Sequence, residues 1–264
     1  MKCAEILKAL YELAPLCYAE EWDNSGLLVG SERREVRRVY IALDALDFVV
    51  EHAVKARADL LVTHHPLIFR PLKSVTDENF ISERVLRLAE AGISCFAMHT
   101  NFDVCVMASQ AALDLELKNP RVLSPTGKRD GEPKDEAPGF GMYGDLPRPM
   151  HLNECVDFVK EKFGLAHVNV FGDPRNELYS AAVVPGSGGS FVSDAVRSDA
   201  DVLITGDVSY HEGIDAVMQG VCVIDAGHYG IEKLFVPYME QFFVNRFPEL
   251  EIISEQDTMP FGIV

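Results

Sequence analysis

Short apolar runs and helix-period segments alternate along the whole chain. Strand-like runs fall at residues 39–43, 60–63, 93–98, 168–171, 179–184, 202–205 and 221–224. Between them, helical spacing predicts helices over residues 48–57, 81–91, 191–198, 211–218 and 231–243. Strand, helix, strand in succession points to an α/β fold with mostly parallel sheets, since apolar runs without polar alternation need cover on both faces. The first eight residues interrupt their apolar positions with charge, which suits an amphipathic helix and not a secretory signal. No apolar run approaches the ~20 residues a membrane helix needs.

The pattern repeats once, weakly. Ala53-Val54-Lys55-Ala56-Arg57-Ala58-Asp59-Leu60-Leu61-Val62-Thr63 resembles Ala195-Val196-Arg197-Ser198-Asp199-Ala200-Asp201-Val202-Leu203-Ile204-Thr205. The next strand in each copy begins after a glycine, Gly92 in one and Gly220 in the other. Two similarities in the same order favour two similar α/β halves, 1–125 and 126–264, with packing as one domain the alternative. Residues 126–138 carry no apolar period and read as a surface loop or a linker between the halves.

Composition narrows the function classes. At 264 residues, 48% hydrophobic and 25% charged, the chain has the balance of a soluble, cytoplasmic globular enzyme. Its formal net charge of −17 disfavours nucleic acid as a partner, because that binding depends on neutralising phosphates with Lys and Arg. The six cysteines are scattered with no Cys-x-x-Cys, so they read as small buried hydrophobes and not as a thiolate metal site.

The histidines change the picture. Of eight, His64, His65, His99, His211 and His228 fall just after strand ends or in the following turn. In open α/β sheets the ligand crevice lies outside the carboxyl ends of the strands. His64 and His65 are adjacent, and in a regular strand neighbours face opposite ways, so the pair makes sense where the strand has ended. Each could then serve a separate ion of a two-metal centre, with carboxylates from Asp103 and Glu232. The His228 to Glu232 spacing of i, i+4 puts both on one helix face. Imidazole with carboxylate suits two divalent transition-metal ions, Zn, Fe, Mn or Ni. Histidines satisfied by local hydrogen bonds are the alternative.

Thr63-His64-His65-Pro66, His99-Thr100-Asn101-Phe102-Asp103, Thr205-Gly206-Asp207 with His211, and His228-Tyr229-Gly230-Ile231-Glu232 resemble the motifs of the Nif-three-like family. Its members are often described as type 2 GTP cyclohydrolase I. Glu21-Trp22-Asp23-Asn24-Ser25-Gly26-Leu27 resembles that family's N-terminal signature. The resemblance implies two Rossmann-like α/β halves, a dinuclear metal site in the cleft between them, and a toroidal homohexamer. Carried over by position, it makes His64, His65, Asp103, His228 and Glu232 the ligands, with His99 and His211 close by, behind the ligands or in proton transfer. The length matches the family's short form, without the domain inserted in longer members.

The function expected is a metal-dependent hydrolase of a small anionic or nucleotide substrate. In a cyclohydrolase-like ring opening, His211 or Asp207 would shuttle protons. A non-catalytic metal-binding or interaction protein in a ring assembly is the competing reading. Gly186, Gly188 and Gly189, between a strand and a helix, are candidates to hold an anion on backbone N–H groups, with a tight turn the alternative. Trp22, beside Asn24 in the signature, either stacks on a bound base or seals the core edge.

Overall fold

The structure, a computed structural model, describes residues 1–126, 137–255, 259 and 261–262. It divides into two compact units, Met1–Phe102 with Lys233–Val264, and Asp103–Glu232. The halves expected at 1–125 and 126–264 differ from these units in where the cuts fall, because the last helix and strand return to the first unit.

The chain opens with helix α1 (Cys3–Leu13), whose Ile6, Leu7 and Leu10 are buried. It continues through strands β1 (Gly26–Val29) and β2 (Arg38–Ala42), helix α2 (Asp47–Lys55), β3 (Leu60–Thr63), α3 (Phe80–Ala91), β4 (Ser94–Ala97) and the short turn α4 (Thr100–Phe102). The second unit begins with a π-helical stretch, Asp103–Met107. It then carries α5 (Ala108–Asp114), β5 (Lys118–Pro125), β6 (Gly139–His151), α6 (Leu152–Phe163), β7 (Asn169–Phe171), β8 (Glu177–Ser187), α7 (Val192–Arg197), β9 (Val202–Gly206), α8 (Tyr210–Met218), β10 (Cys222–Asp225) and α9 (His228–Glu232). Helix α10 (Phe235–Arg246) and strand β11 (Glu251–Ser254) complete the first unit.

The first unit holds a sheet ordered β1-β4-β3-β2-β11, in which β1 pairs antiparallel and the other neighbours are parallel. Every residue of β3 is buried, as expected of a central strand covered on both faces. Val49, Val50 and Ala53 of α2 and Leu88 of α3 pack with Leu61 and Cys95 from the sheet in one core cluster. Helix α3 starts where Asn79 accepts from the amides of Ile81 and Ser82, and stops at Gly92, which takes the left-handed conformation at φ 75°.

The second unit's sheet is ordered β5-β6-β8-β9-β10-β7. Only β8, β9 and β10 run parallel, so the expectation of a mostly parallel sheet fails here. The reason is β6, which buries one face only and carries Gly139, Gly141, Gly144, Pro147 and Pro149, so no apolar run announces it. Its pairing with β5 also corrects the linker reading of residues 126–138. Pro125 pairs with Gly139 and Thr126 N donates to Pro138 O, so that segment joins two antiparallel neighbours of one sheet. Its residues 127–136 lie outside the described residues. The helix expected over 231–243 is split into α9 and α10.

The internal repeat is a repeat of structure. Arg57 and Asp199 both take positive φ, 55° in each case. Two residues later, Asp59 Oδ2 accepts from the amides of Arg37 and Arg38, and Asp201 Oδ2 accepts from those of Tyr179 and Ser180. Among the described residues, no helix is long and apolar enough to cross a membrane.

Candidate metal centre

In the first unit the site is built where β3 stops. The amides of His64 and His65 both donate to Leu43 O, at 3.1 and 3.0 Å, so strand alternation has ended and both imidazoles can serve one place. Their ring centroids are 4.8 Å apart with planes tilted by 50°. His99, after β4, brings a third ring within 5.3 Å of His64 and 5.5 Å of His65. One nitrogen from each of the three lies within 4.8 Å of the others, the separation of groups that can share an ion.

Each ring is held by its other nitrogen. His64 Nδ1 meets the Met98 carbonyl at 2.7 Å, His65 Nδ1 meets Asp44 at 2.8 Å, and His99 Nδ1 meets Asp23 at 2.8 Å. A carbonyl or a carboxylate only accepts, so Nδ1 donates in all three and Nε2 is the nitrogen left for a ligand when the ring is neutral. A metal-ligating histidine needs this arrangement. Asp23 is the most heavily engaged partner. Burial opposes its ionisation, yet bonds from His99, Thr100 and Ser25 hold its carboxyl well below the usual carboxylate range.

The second unit gathers a different donor set. Asp103 opens the π-helical stretch, a distortion frequent at functional positions. His228 opens α9 after β10, with Nδ1 2.8 Å from Asp207 and Nε2 3.0 Å from Glu232 on the next turn. The Glu232 side chain is only 4% exposed. Asp225, itself buried, accepts from Val208 N and Gly227 N, tying the turn after Asp207 to the turn before His228.

The candidate glycines separate by what they touch. A Cβ on Gly186 would come within 2.4 Å of Glu232 Oε1 and 3.7 Å of His228 Nε2, so its bare backbone makes room for the donors. Gly188 and Gly189 instead make room for Thr205 and for the Glu212 carboxylate, which is close packing between elements. His211 lies in the first turn of α8, exposed and edge-on to Tyr210 at 5.4 Å. Trp22 stands 6.0 Å from His99, and Asn24 donates to Ile68 O.

The donor chemistry fits a metal. His228 places Nδ1 2.8 Å from Asp207 and Nε2 3.0 Å from the Glu232 carboxylate. An approach that close calls for a proton or a cation between nitrogen and carboxylate. The three imidazoles of the first unit bring one nitrogen each within 4.8 Å of the others, a donor set that suits a borderline-soft divalent ion.

The carboxylates that orient two of the first unit's rings, Asp44 on His65 and Asp23 on His99, were not among the site residues expected from the sequence. Asp44 carries the same signal as the histidines, a polar residue just past a strand end. Asp23 lies inside the N-terminal signature, between Trp22 and Asn24.

Comparison with known proteins places the chain among relatives. The model of the Duf34/NIF3 (NGG1p interacting factor 3) family matches residues 1–260. A Clostridium perfringens protein named GTP cyclohydrolase 1 type 2 homolog is 30% identical over 267 residues, covering 100% of both chains. The crystal structure of a Bacillus cereus protein related to NIF3 superposes with a TM-score of 0.91 at 24% identity, covering 100% of this chain and 99% of that one. Reduced HcgD from Methanocaldococcus jannaschii is 30% identical with a TM-score of 0.81, over 96% of this chain and 97% of that one.

Proposed function

This chain belongs to the Duf34/NIF3 family, and we propose that it is a metal-dependent hydrolase using two divalent transition-metal ions on a small anionic or nucleotide substrate. His64, His65, Asp103, His228 and Glu232 are the proposed ligands. The carrying observation is the cluster of the ligands His64 and His65 with the neighbouring His99, whose nitrogens lie within 4.8 Å of one another, each ring oriented by an acceptor on Nδ1. Bound there, the ions would supply Lewis acidity and bring the pKa of water to about 7.

The chain's own residues do the rest. Met98 O, Asp44, Asp23 and Asp207 fix tautomer and ring direction, so that donors are in place before any ligand arrives. Asp23 also keeps the His99 proton on Nδ1. His99 Nε2 can then accept a proton from a reacting group, a role it can fill only if it is not itself a ligand. The relatives' name supports a nucleotide substrate and a ring-opening hydrolysis. A toroidal homohexamer is the proposed working form.

The test is metal content per chain, by mass spectrometry, on protein purified without added metal or chelator, alongside His64→Ala. About two ions per chain, lost from the variant while it stays folded, is the expected result. None after reconstitution with Zn, Fe, Mn or Ni would overturn the proposal. Metal retained with no hydrolysis of GTP or other nucleotides would point to a non-catalytic metal-binding role.

A further inference from the structure

Trp22 and Phe69 are large aromatic side chains left 59% and 48% exposed. Their ring centroids are 5.9 Å apart, and the planes of both stand edge-on to His99, at 6.0 and 6.4 Å. A tryptophan sealing the core edge would be buried, so that role fails. Single exposed aromatics are ordinary; an exposed pair packed against the histidine cluster is the kind of patch that marks a ligand surface.

The pair is held in place. Asn24 donates from Nδ2 to Ile68 O, tying the loop of Trp22 to the loop of Phe69. The Trp22 loop is anchored through Asp23, which bonds Ser25, Thr100 and His99. Binding there needs little ordering of either loop, which preserves affinity.

We propose that the Trp22–Phe69 pair selects the substrate by stacking a planar heteroaromatic ring, such as a purine, with the edge of that ring directed at His99. The proposal rests on the reading of the cluster as the reacting site and narrows its substrates from small anions at large to ring-bearing ones. Charge favours the ring over the phosphate. At a net −17 the protein's field repels polyanions, whereas stacking is insensitive to that charge.

Trp22 is the one tryptophan in the sequence, so its fluorescence reports this surface alone. The probes are guanosine, GTP and tripolyphosphate, titrated into metal-free and metal-loaded protein, with calorimetry as a second readout. Guanosine and GTP should quench saturably, and tripolyphosphate should not. Phe69→Ala, at an exposed position, should weaken guanosine binding by roughly 5- to 150-fold, the range for one lost stacking contact. Trp22→Phe should bind within about threefold of the wild type by calorimetry, and Trp22→Ala should bind as weakly as Phe69→Ala.

Tripolyphosphate binding as tightly as GTP, or guanosine binding unchanged in Phe69→Ala, overturns the proposal. So does a failure of guanosine to bind in either metal state. Quenching that persists in protein shown to hold no metal supports the platform even if the metal reading fails, so the two failures stay distinct.

Discussion

Gly186→Ala tests the site through a single methyl group. Gly186 has φ +73°, where an alanine is strained by about 1–2 kcal/mol. The new Cβ would also sit 2.4 Å from Glu232 Oε1, where ordinary contact begins at 3.4 Å. The carboxylate must therefore retreat by about 1 Å, several times the ~0.2 Å latitude of a metal–ligand distance. It has little room, being 4% exposed with His228 Nε2 3.0 Å away. Overpacking of this kind adds about 1–3 kcal/mol.

Gly220→Ala is the control, since Gly220 has φ +92° and nothing within 4 Å of its Cβ position. It should show the backbone cost alone. The thermal midpoint of Gly186→Ala should fall roughly 2–12 °C below that of Gly220→Ala, at about 2–4 °C per kcal/mol for a chain of this size. Bound metal should drop to half or less in Gly186→Ala and stay at the wild-type level in Gly220→Ala. Equal midpoints with full metal in both variants would refute the packing of Glu232 against Gly186 and its place among the ligands.

Asp23→Asn keeps the shape but weakens the charge-assisted bonds from His99, Ser25 and Thr100 around a side chain with 0% exposure. It should cost about 2–4 kcal/mol in thermal or urea unfolding, and a loss below about 1 kcal/mol would contradict it. Tyr40 donates its hydroxyl to Glu255 at 2.6 Å, and burial, followed by that carboxylate, pushes its phenol well above the usual value. The folded pKa is raised, so the stability it contributes is full below pH ~10 and lost as pH rises further; Tyr40→Phe should flatten that decline by about 1.4 kcal/mol per pH unit. A variant with the wild-type slope would show that Tyr40 ionises alike in both states. Burial pushes the thiols of Cys95 and Cys155 up to about 12, whereas Cys17 is exposed. Iodoacetamide on native protein should modify Cys17 first and leave Cys95 and Cys155 intact by peptide mapping, and early alkylation of Cys95 would contradict its burial.

How legible each element is in the sequence depends on how it is covered. Strands β3, β9 and β10, buried residue by residue, leave unbroken apolar runs, and their expected positions agree with the structure within a residue or so. Strand β6 alternates and is punctuated by glycine and proline, so no run marks it. Strand β11 is brief, and its parallel pairing with β2 joins residues far apart in the chain, which no local pattern reports. The site divides in the same way. Histidines at strand ends stand out because the residue type is rare there, while the aspartates that orient them look like ordinary surface charge until Asp23 is seen fully covered.

The repeat explains why the donors gather at strand ends in both units. Both sheets contain one series, an antiparallel edge strand followed by three parallel strands: β1-β4-β3-β2 in the first and β7-β10-β9-β8 in the second. Met98 N donates to Thr63 O in one and Ala226 N donates to Thr205 O in the other, so the turns leave the sheets alike. The residues just past the matched strands differ: His64-His65 after β3 and Gly206-Asp207 at the end of β9, with a histidine soon after both β4 and β10. The Asp59 and Asp201 clasps and the left-handed residues before them are identical devices for building the sheet, and they touch no donor. The backbone therefore accounts for where side chains are presented, and the identity of those side chains has to be explained by chemistry. In the first unit that chemistry is three clustered imidazoles; in the second it is an imidazole facing a carboxylate. Both donor sets are of the kind that could hold a divalent cation.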